Sequence, residues 1–463
     1  MLIRFRAENI LSFQEQIEFS MIPSLQRIHA HQVFRTKKRS EVSLTRFAAI
    51  YGANASGKSN LVKVIKFAQN MVVHGLKPEA KIPVQRFRLN QDCLHRPARF
   101  EIEFKMGRQM YEYGFELDSQ FIHTEWLQTF TRRADTLLFR RTTDKNGNAQ
   151  LEFGEFADKI SSEENLFLQF VGKGTRPNQL FLRESIERNV KYFRAAYDWF
   201  RKVLTIIEPM SEYIPVELQM NEDEAFSEFL GKVLREADTG ITSIQAEEIA
   251  LDDLDLSEEA LEFIKEGLSN ADGVFLKLAK LRLTAIKKDD QIRVLKLVPI
   301  HQTSNGNEKA VFEIHEESDG TQRLIDFAPL LHELLLGEDE RVFIVDEFDR
   351  SLHPKLSRMI VGIHLDEANA TKPSQLIVTT HETTILDLDL LRRDEIWFVE
   401  KKPETGAADL YSLHDFKPRY DKDVLKDYLY GRYGAIPFLG NVRALRLSAA
   451  KDQSSGIAEG SEV

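Results

Sequence analysis

The feature that most constrains this chain is a glycine-rich octet near its N-terminus, Gly52-Ala53-Asn54-Ala55-Ser56-Gly57-Lys58-Ser59. It fits the pattern G-x-x-x-x-G-K-[S/T], in which the backbone N–H groups of a loop wrap phosphate groups at a helix N-terminus. Residues 46–51 before it predict a strand, and apolar residues recur at helical spacing over residues 58–73 after it. This order of strand, glycine loop and helix favours a phosphate loop over an ordinary glycine turn.

The octet predicts specific tasks for its residues. Its glycines let the backbone approach phosphate oxygens, Lys58 is expected to reach the β- and γ-phosphates, and Ser59 is expected to bind Mg²⁺. The dipole of the following helix adds positive potential at the same point. The sequence therefore predicts ATP and Mg²⁺ as cofactors, and the expected nucleotide-binding residues are Gly52, Asn54, Ala55, Ser56, Gly57, Lys58, Ser59 and Asn60.

A second motif lies near residue 346, where an apolar run predicted to be a buried strand ends in Asp346 and Glu347. Two acids at a strand end are commonly just solvated groups. Beside a phosphate loop, however, Asp346 would hold Mg²⁺ and Glu347 would polarise the attacking water. We therefore assign Asp346 with Ser59 to the metal and Glu347 to catalysis.

Two further features could complete the site. His381 follows the predicted strand 376–379, where an imidazole can hydrogen-bond a γ-phosphate, although an isolated histidine is more often structural. Ser318 and Gly320 open a predicted helix, so they form either a second anion site or a plain helix cap. The expected catalytic residues are Lys58, Glu347 and His381, and Ser318 and Gly320 join the nucleotide-binding residues.

Composition excludes some classes of protein. The chain has 463 residues, 42% of them apolar, and no stretch approaches the roughly 18 apolar residues of a membrane span. Its formal net charge of −11 argues against a protein coated by nucleic acid. The N-terminus lacks the apolar core of a signal peptide, and the single Cys93 cannot form an internal disulfide. Both features favour a cytoplasmic location.

The chain is too long for one ordinary core. After residue 319, strands and helices alternate as in a mostly parallel α/β sheet, whereas residues 99–153 alternate in the manner of antiparallel hairpins. We expect an N-terminal ATPase lobe at 1–182 with the phosphate loop and an antiparallel sheet, a mainly helical insertion at 183–300, a C-terminal ATPase lobe at 301–448, and a disordered tail at 449–463.

The order of these motifs resembles the ATP-binding cassette ATPases, specifically their SMC-like and overcoming-lysogenization-like branch. That resemblance implies an α/β P-loop ATPase head with an antiparallel β subdomain and a compact helical insertion. It also implies that Ser318 and Gly320 of one subunit close on the nucleotide of another, that residues 349–354 form a dimer-contacting loop, and that His381 is the switch histidine. The signature departs from Leu-Ser-Gly-Gly-Gln, since residues 317–321 read Glu-Ser-Asp-Gly-Thr.

The glutamine of the family's Q-loop has no clear counterpart in this sequence. Gln179 is our choice over Gln169 and Gln85, because it lies between the predicted hairpins and the predicted helices.

A narrower resemblance involves residues 8–13, 318–324, 351–354 and 428–437. These segments look like those of bacterial AAA-type ATP-binding proteins of abortive-infection and phage-defence loci. Such proteins are often encoded beside a separate nuclease with a Toprim-like fold. The resemblance therefore implies a regulatory or sensor ATPase that forms a homodimer or a higher homo-oligomer and controls a separate effector.

Two other kinds of function, and an inactive scaffold, are weighed against this one. An SMC-like DNA-repair or recombination ATPase that binds DNA when ATP is bound is the main alternative. A built-in nuclease is disfavoured, because residues 382–463 are too few for a Toprim domain and the closing strands of the sheet. An inactive scaffold is disfavoured, because Lys58, Asp346, Glu347 and His381 are all present.

Overall fold

The computed structural model describes residues 1–36, 41–131, 134–144, 146–209, 211–254, 256–269, 273–278, 281–288, 291–303, 308–419 and 422–436. The tail expected to be disordered, 449–463, lies outside these ranges. Within them, no helix combines the length and the apolar character needed to cross a membrane.

The described chain is a mixture of strands and helices. In chain order the strands are β1 (Leu2–Glu8), β2 (Ile17–Ser20), β3 (Val33–Phe34), β4 (Leu44–Thr45), β5 (Phe47–Tyr51), β6 (Ala98–Met106), β7 (Gln109–Leu117), β8 (Ile122–Phe130), β9 (Asp135–Thr143), β10 (Ala149–Phe153), β11 (Leu204–Ile207), β12 (Ile241–Ala250), β13 (Gly273–Leu278), β14 (Leu281–Lys288), β15 (Gln291–Gln302), β16 (Lys309–Val311), β17 (Arg341–Val345), β18 (Ser374–Thr379), β19 (Ile396–Lys401) and β20 (Ala408–Ser412). The helices are α1 (Lys58–Val73), α2 (Ser162–Gly174), α3 (Phe181–Glu187), α4 (Arg194–Asp198), α5 (Val216–Glu222), α6 (Glu224–Glu236), α7 (Glu258–Leu268), α8 (Asp319–Leu336), α9 (Pro354–Leu365) and α10 (Val424–Leu429).

The central layer is a six-stranded sheet in the order β11-β17-β18-β5-β19-β20. Its first five strands run parallel, and β20 pairs antiparallel with β19. Every residue of β5 and β18 is buried, because both faces of the sheet are covered. The mostly parallel sheet predicted from the sequence is confirmed, and the carboxyl ends of β5, β17 and β18 meet at one edge.

Side chains from one face of β5, including Ala48 and Ile50, belong to a core shared with α1 and with a second sheet. That sheet has seven antiparallel strands in the order β10-β9-β8-β7-β6-β1-β2. The buried positions of α1 include Leu61, Val64 and Ile65, which follow the helical spacing predicted from the sequence. The hairpins expected over residues 99–153 are therefore present, and they cover the α1 side of the parallel sheet.

The opposite face of β5, with Phe47, Ala49 and Tyr51, joins a separate core. Apolar residues of α6, α8, α9 and α10 fill this core. Successive side chains of a strand point to opposite faces, so alternate residues of β5 enter different cores. The parallel sheet is thus the middle of three layers, and both covering layers hold it in place.

Helices α4 to α7 predominate over residues 183–267, as expected for the insertion, but two strands in this range were missed. Residues 183–267 contain β11, an edge strand of the parallel sheet, and β12, which pairs with β15 along most of its length. Strands β12 to β15 form a further antiparallel sheet in the order β12-β15-β14-β13, with β16 on β15. Strand β12 falls inside the range interpreted as helical, but pairing with a strand some 50 residues away decides its conformation.

A buried ionic cluster connects this further sheet to the helical layer. Arg282 of β14 contacts Glu217 Oε1 of α5 at 2.6 Å, Glu212 Oε2 at 3.2 Å, and Asp326 of α8. All four side chains are at most 7% exposed. Because α8 begins beside Ser318, the cluster fixes the insertion sheet to the helix that carries the expected signature.

Candidate functional site

The phosphate loop is packed tightly against neighbouring backbone. A β-carbon on Gly52 would lie 2.5 Å from the carbonyl oxygen of Val399 in β19. Gly57 has a φ of +119°, and a β-carbon there would lie 2.9 Å from Ser12 Oγ. Gly52 is therefore required because there is no space for a side chain. Gly57 is required for the same reason and because its backbone is left-handed.

The other loop residues differ in their accessibility. Asn54 and Ala55 are exposed, Ser56 is buried, and Asn60 is half-buried in the first turn of α1. Ala55 adopts a φ of +62°, which contributes to the tight curve of the loop. The loop thus places backbone groups at the N-terminus of a 16-residue helix, where an anion is favoured.

Lys58 lies within the loop. Its Nζ donates to the carbonyl oxygens of Gly52 at 2.8 Å and Ala53 at 3.1 Å. Burial lowers the pKa of Lys58 to about 8, against the opposing effect of nearby carboxylates, Asp346 first among them. The ammonium group is therefore close to the acidic edge of the sheet as well as to the loop.

Ser59 and Asp346 come together although 287 positions separate them in the chain. Ser59 Oγ donates to Asp346 Oδ1 at 3.2 Å, and Asp346 is 5% exposed. A hydroxyl and a carboxylate oxygen are hard donors of the kind that Mg²⁺ prefers. The pair fits a magnesium ion bound jointly by the phosphate loop and by the end of β17.

Glu347 has an unusual backbone. Its φ is +49°, in the left-handed region, and its N–H donates to Thr379 Oγ1 at 2.8 Å. Its side chain is 43% exposed, and Oε2 lies 3.8 Å from a guanidinium nitrogen of Arg350. The carboxylate therefore points out of the sheet edge, beside the expected magnesium ligand, where a water molecule can reach it.

His381 is connected to the site by backbone hydrogen bonds to Asp349. The backbone N–H of His381 donates to the two Asp349 carboxylate oxygens at 3.2 and 3.3 Å. Desolvation and then Lys58 lower the pKa of the His381 imidazole, while Asp349 and Glu347 oppose the shift. The imidazole is therefore favoured in its neutral form near neutral pH.

Ser318 is the N-cap of α8, and its Oγ accepts the Thr321 N–H at 3.1 Å. The helix-cap interpretation of Ser318 is thus correct, and it leaves the second-anion interpretation as a proposal. Gly320, in the first turn of α8, lies against the loop after Glu347, because a β-carbon there would be 2.9 Å from Ser351 O. The start of α8 therefore packs closely against that loop.

Gln179 does not lie at the site. Its Oε1 accepts the N–H of Leu76, beyond the C-terminal end of α1, and α1 is about 24 Å long. Gln169 lies on α2 beside a cavity lined by residues of β9 and β10. The backbone of Gln85 is closer to the loop, since its carbonyl oxygen accepts the Leu11 N–H at 2.7 Å, next to Ser12.

The choice of Gln179 was therefore wrong. Its side chain hydrogen-bonds to the backbone just beyond the C-terminal end of α1, which is the end far from the phosphate loop.

Two residues at the site were missed from the sequence. Thr379 contacts both Asp346 and Glu347. Glu208 follows β11 at the same edge, since the Asp346 N–H donates to Ile207 O at 2.9 Å, and Glu208 pairs with Lys66 of α1. Thr379 could have been predicted as a site residue, because it is a polar residue at the end of the strand that precedes His381. Glu208 gave none, because β11 was not recognised as a strand of the sheet.

The fold and this set of residues define an ABC-type P-loop ATPase of mixed α/β class. A family model described as "AAA domain, putative AbiEii toxin, Type IV TA system" matches residues 47–387, and the chain belongs to this family. Among solved structures, the SMC head domain from Thermotoga maritima is similar at 11% identity with a TM-score of 0.34, covering 89% of this chain and 98% of that chain. No curated protein matches this chain significantly.

Proposed function

We propose that this protein hydrolyses ATP to ADP and phosphate. The observation that carries the proposal is the meeting of Ser59 and Asp346 at 3.2 Å, with Glu347 held beside them by Thr379. These groups come from three distant segments and converge at the carboxyl edge of a parallel sheet, where such sites are built. A convergence of this kind has no evident structural purpose.

In this mechanism each residue has one task. Lys58 would bind the β- and γ-phosphates, and Ser59 and Asp346 would hold Mg²⁺, which would supply neutralisation of phosphate charge. Glu347 accepts a proton from the attacking water, and its exposed carboxylate is accessible to that water. Neutral His381 donates a hydrogen bond to a γ-phosphate oxygen.

We further propose that Ser318 and Gly320 act on the nucleotide of a second copy of the chain. Ser318 is exposed at the N-terminus of an 18-residue helix, a position that favours an anion. The contact between Gly320 and Ser351 would make the start of α8 move together with the loop that follows Glu347. Closure of two copies on ATP would thereby complete both sites, and the protein would act as a homodimer or a larger homo-oligomer.

The biological role that we propose is a cytoplasmic sensor or regulatory subunit of a bacterial anti-phage system of the abortive-infection type. It would control a separate nuclease effector with a Toprim-like fold. The family description, which names a toxin and a toxin–antitoxin system, supports a defence setting. ATP-driven closure is the event that would hold or release the effector.

The proposal is tested with the purified full chain and the product of the adjacent gene. We expect magnesium-dependent release of phosphate from ATP, and co-purification whose strength differs between ATP and ADP. A chain that neither hydrolyses ATP nor binds that product would refute the regulatory role. Salt-sensitive, ATP-dependent binding of duplex DNA would instead favour the SMC-like repair alternative.

A further inference from the structure

Thr379, the last residue of β18, lies between the two carboxylate residues that end β17. It is 1% exposed. Its hydroxyl donates a 2.5 Å hydrogen bond to Asp346 Oδ1 and accepts a 2.8 Å hydrogen bond from the Glu347 N–H. A single hydroxyl group therefore contacts the expected magnesium ligand and the backbone of the expected general base.

The backbone near Glu347 explains why such a contact is needed. The φ of +49° at Glu347 is a conformation that residues other than glycine rarely adopt, so surrounding contacts must hold it. Thr379 supplies two of them, because its carbonyl oxygen also accepts the Phe348 N–H at 3.0 Å. Side chain and backbone of one residue thus fix two successive amides of the turn.

The same hydroxyl also contacts the expected magnesium ligand Asp346. Asp346 Oδ1 accepts hydrogen bonds from both Thr379 Oγ1 and Ser59 Oγ. The hydroxyl has one proton to donate and lone pairs to accept, so it can serve Asp346 and Glu347 at once. Serine could do the same, whereas valine, which has nearly the same shape as threonine, could do neither.

We propose that Thr379 is a positioning residue for hydrolysis. Its hydroxyl holds both the Asp346 carboxylate and the Glu347 backbone. The expected metal ligand and the expected general base therefore keep fixed positions relative to each other. The proposal rests on the proposed ATPase activity, and Thr379 itself contacts neither water nor nucleotide in this scheme. Groups that orient ligands and bases in this way commonly change activity by about 10- to 100-fold when they are removed.

The test compares Thr379→Val with Thr379→Ser in the full chain. For valine we expect kcat to fall about 10- to 100-fold while KM for ATP changes by less than about threefold. For serine we expect kcat within about threefold of wild type. A second readout needs no nucleotide: amide hydrogen exchange at Glu347 should be faster in the valine variant and unchanged in the serine variant.

Thr45→Val is the matched control. Thr45 is also 1% exposed, and its hydroxyl donates to the Met21 carbonyl oxygen at 3.2 Å, away from the carboxyl edge. We expect this variant to keep wild-type kcat and wild-type exchange at Glu347. If Thr379→Val does not fold, Thr379→Ala takes its place with the same expected losses.

Two results would overturn the inference. One is a folded valine or alanine variant with wild-type kcat and wild-type exchange at Glu347. The other is a serine variant as impaired as the valine variant, because the hydroxyl would then be irrelevant. A wild-type chain without ATP turnover would refute the proposed function instead, and the exchange at Glu347 would still test the hydrogen bond.

Discussion

The carbonyl oxygen of Ser351 closes the space beside Gly320, leaving only 2.9 Å to the position that a β-carbon would take. Ser351 lies in the loop that follows Glu347 and has a φ of +61°, whereas Gly320 lies in the first turn of α8. The start of α8, which carries the proposed signature, and the loop after the proposed general base are separate in the sequence but in direct contact. Glycine is needed at position 320 because nothing larger fits against this carbonyl group.

The first prediction concerns this contact. Gly320→Ala should push α8 away from the loop, because the neighbouring atom belongs to the backbone and cannot rotate aside. We expect ATP hydrolysis to fall at least about tenfold with nucleotide affinity retained. Gly362→Ala is the control, since a β-carbon there meets no atom within 4 Å and alanine favours a helix. Equal activity in the two variants would argue against a role for the contact.

Glu347→Gln should separate binding from hydrolysis. The amide keeps the size of the side chain but cannot accept the proton of the attacking water. We expect near-normal ATP binding, loss of turnover by at least about 100-fold, and an ATP-stabilised dimer in size-exclusion chromatography. Lys58→Ala provides the contrast, because it should weaken nucleotide binding itself. Wild-type turnover in Glu347→Gln would mean that another group is the general base.

Mixing two inactive variants tests the composite site. In a dimer of one Ser318→Arg chain and one Lys58→Ala chain, one site carries both changes and the other carries neither. Random mixing should therefore restore roughly a quarter of the wild-type sites. Phosphate release should rise on mixing, whereas each variant alone stays inactive. Unchanged activity on mixing would contradict sites shared between copies.

His364 should make the protein sensitive to acid. Burial, and then Arg46, lower the pKa of His364 to about 3, so the folded protein binds this proton more weakly than the unfolded chain does. The free energy of unfolding should fall as the pH drops from about 6.5 towards 3, by up to about 1.4 kcal/mol per pH unit.

Urea unfolding at several pH values measures this slope. His364→Gln should flatten it even if the variant is less stable overall, because the titrating group is gone. His315→Gln, at an exposed position, should leave the slope as it is. If His364→Gln retains the wild-type slope, the acid sensitivity comes from other groups.

The Arg282 cluster should matter for stability. Replacing Arg282 with alanine leaves Glu212, Glu217 and Asp326 buried without that cation, and we expect a loss of about 3–5 kcal/mol in the free energy of unfolding. Lys288→Ala, which removes an exposed pair with Glu248, should cost at most about 1 kcal/mol. Similar losses in the two variants would show that the buried cluster contributes no more than a surface pair.

Local patterns were enough to predict much of the fold. The phosphate loop lies between β5 and α1, and α1 spans Lys58–Val73, the range read from apolar spacing. The strands before Asp346 and His381 were also found, because runs of buried apolar residues are visible in any sequence. Strand β12 was missed because its partner β15 lies far along the chain, and local propensity carries no information about that pairing.

By itself the sequence determined which chemical groups were available: a phosphate loop, a pair of carboxylates after a strand, and a histidine after the next strand. These follow from residue type and spacing, which set local conformation. Only the tertiary structure decided which groups meet. Parallel pairing of β17, β18 and β5 brings Asp346, Thr379 and the loop to one edge, and the space beside Gly320 exists because α8 packs on the loop after Glu347. Such contacts depend on long-range packing, and no short segment encodes them.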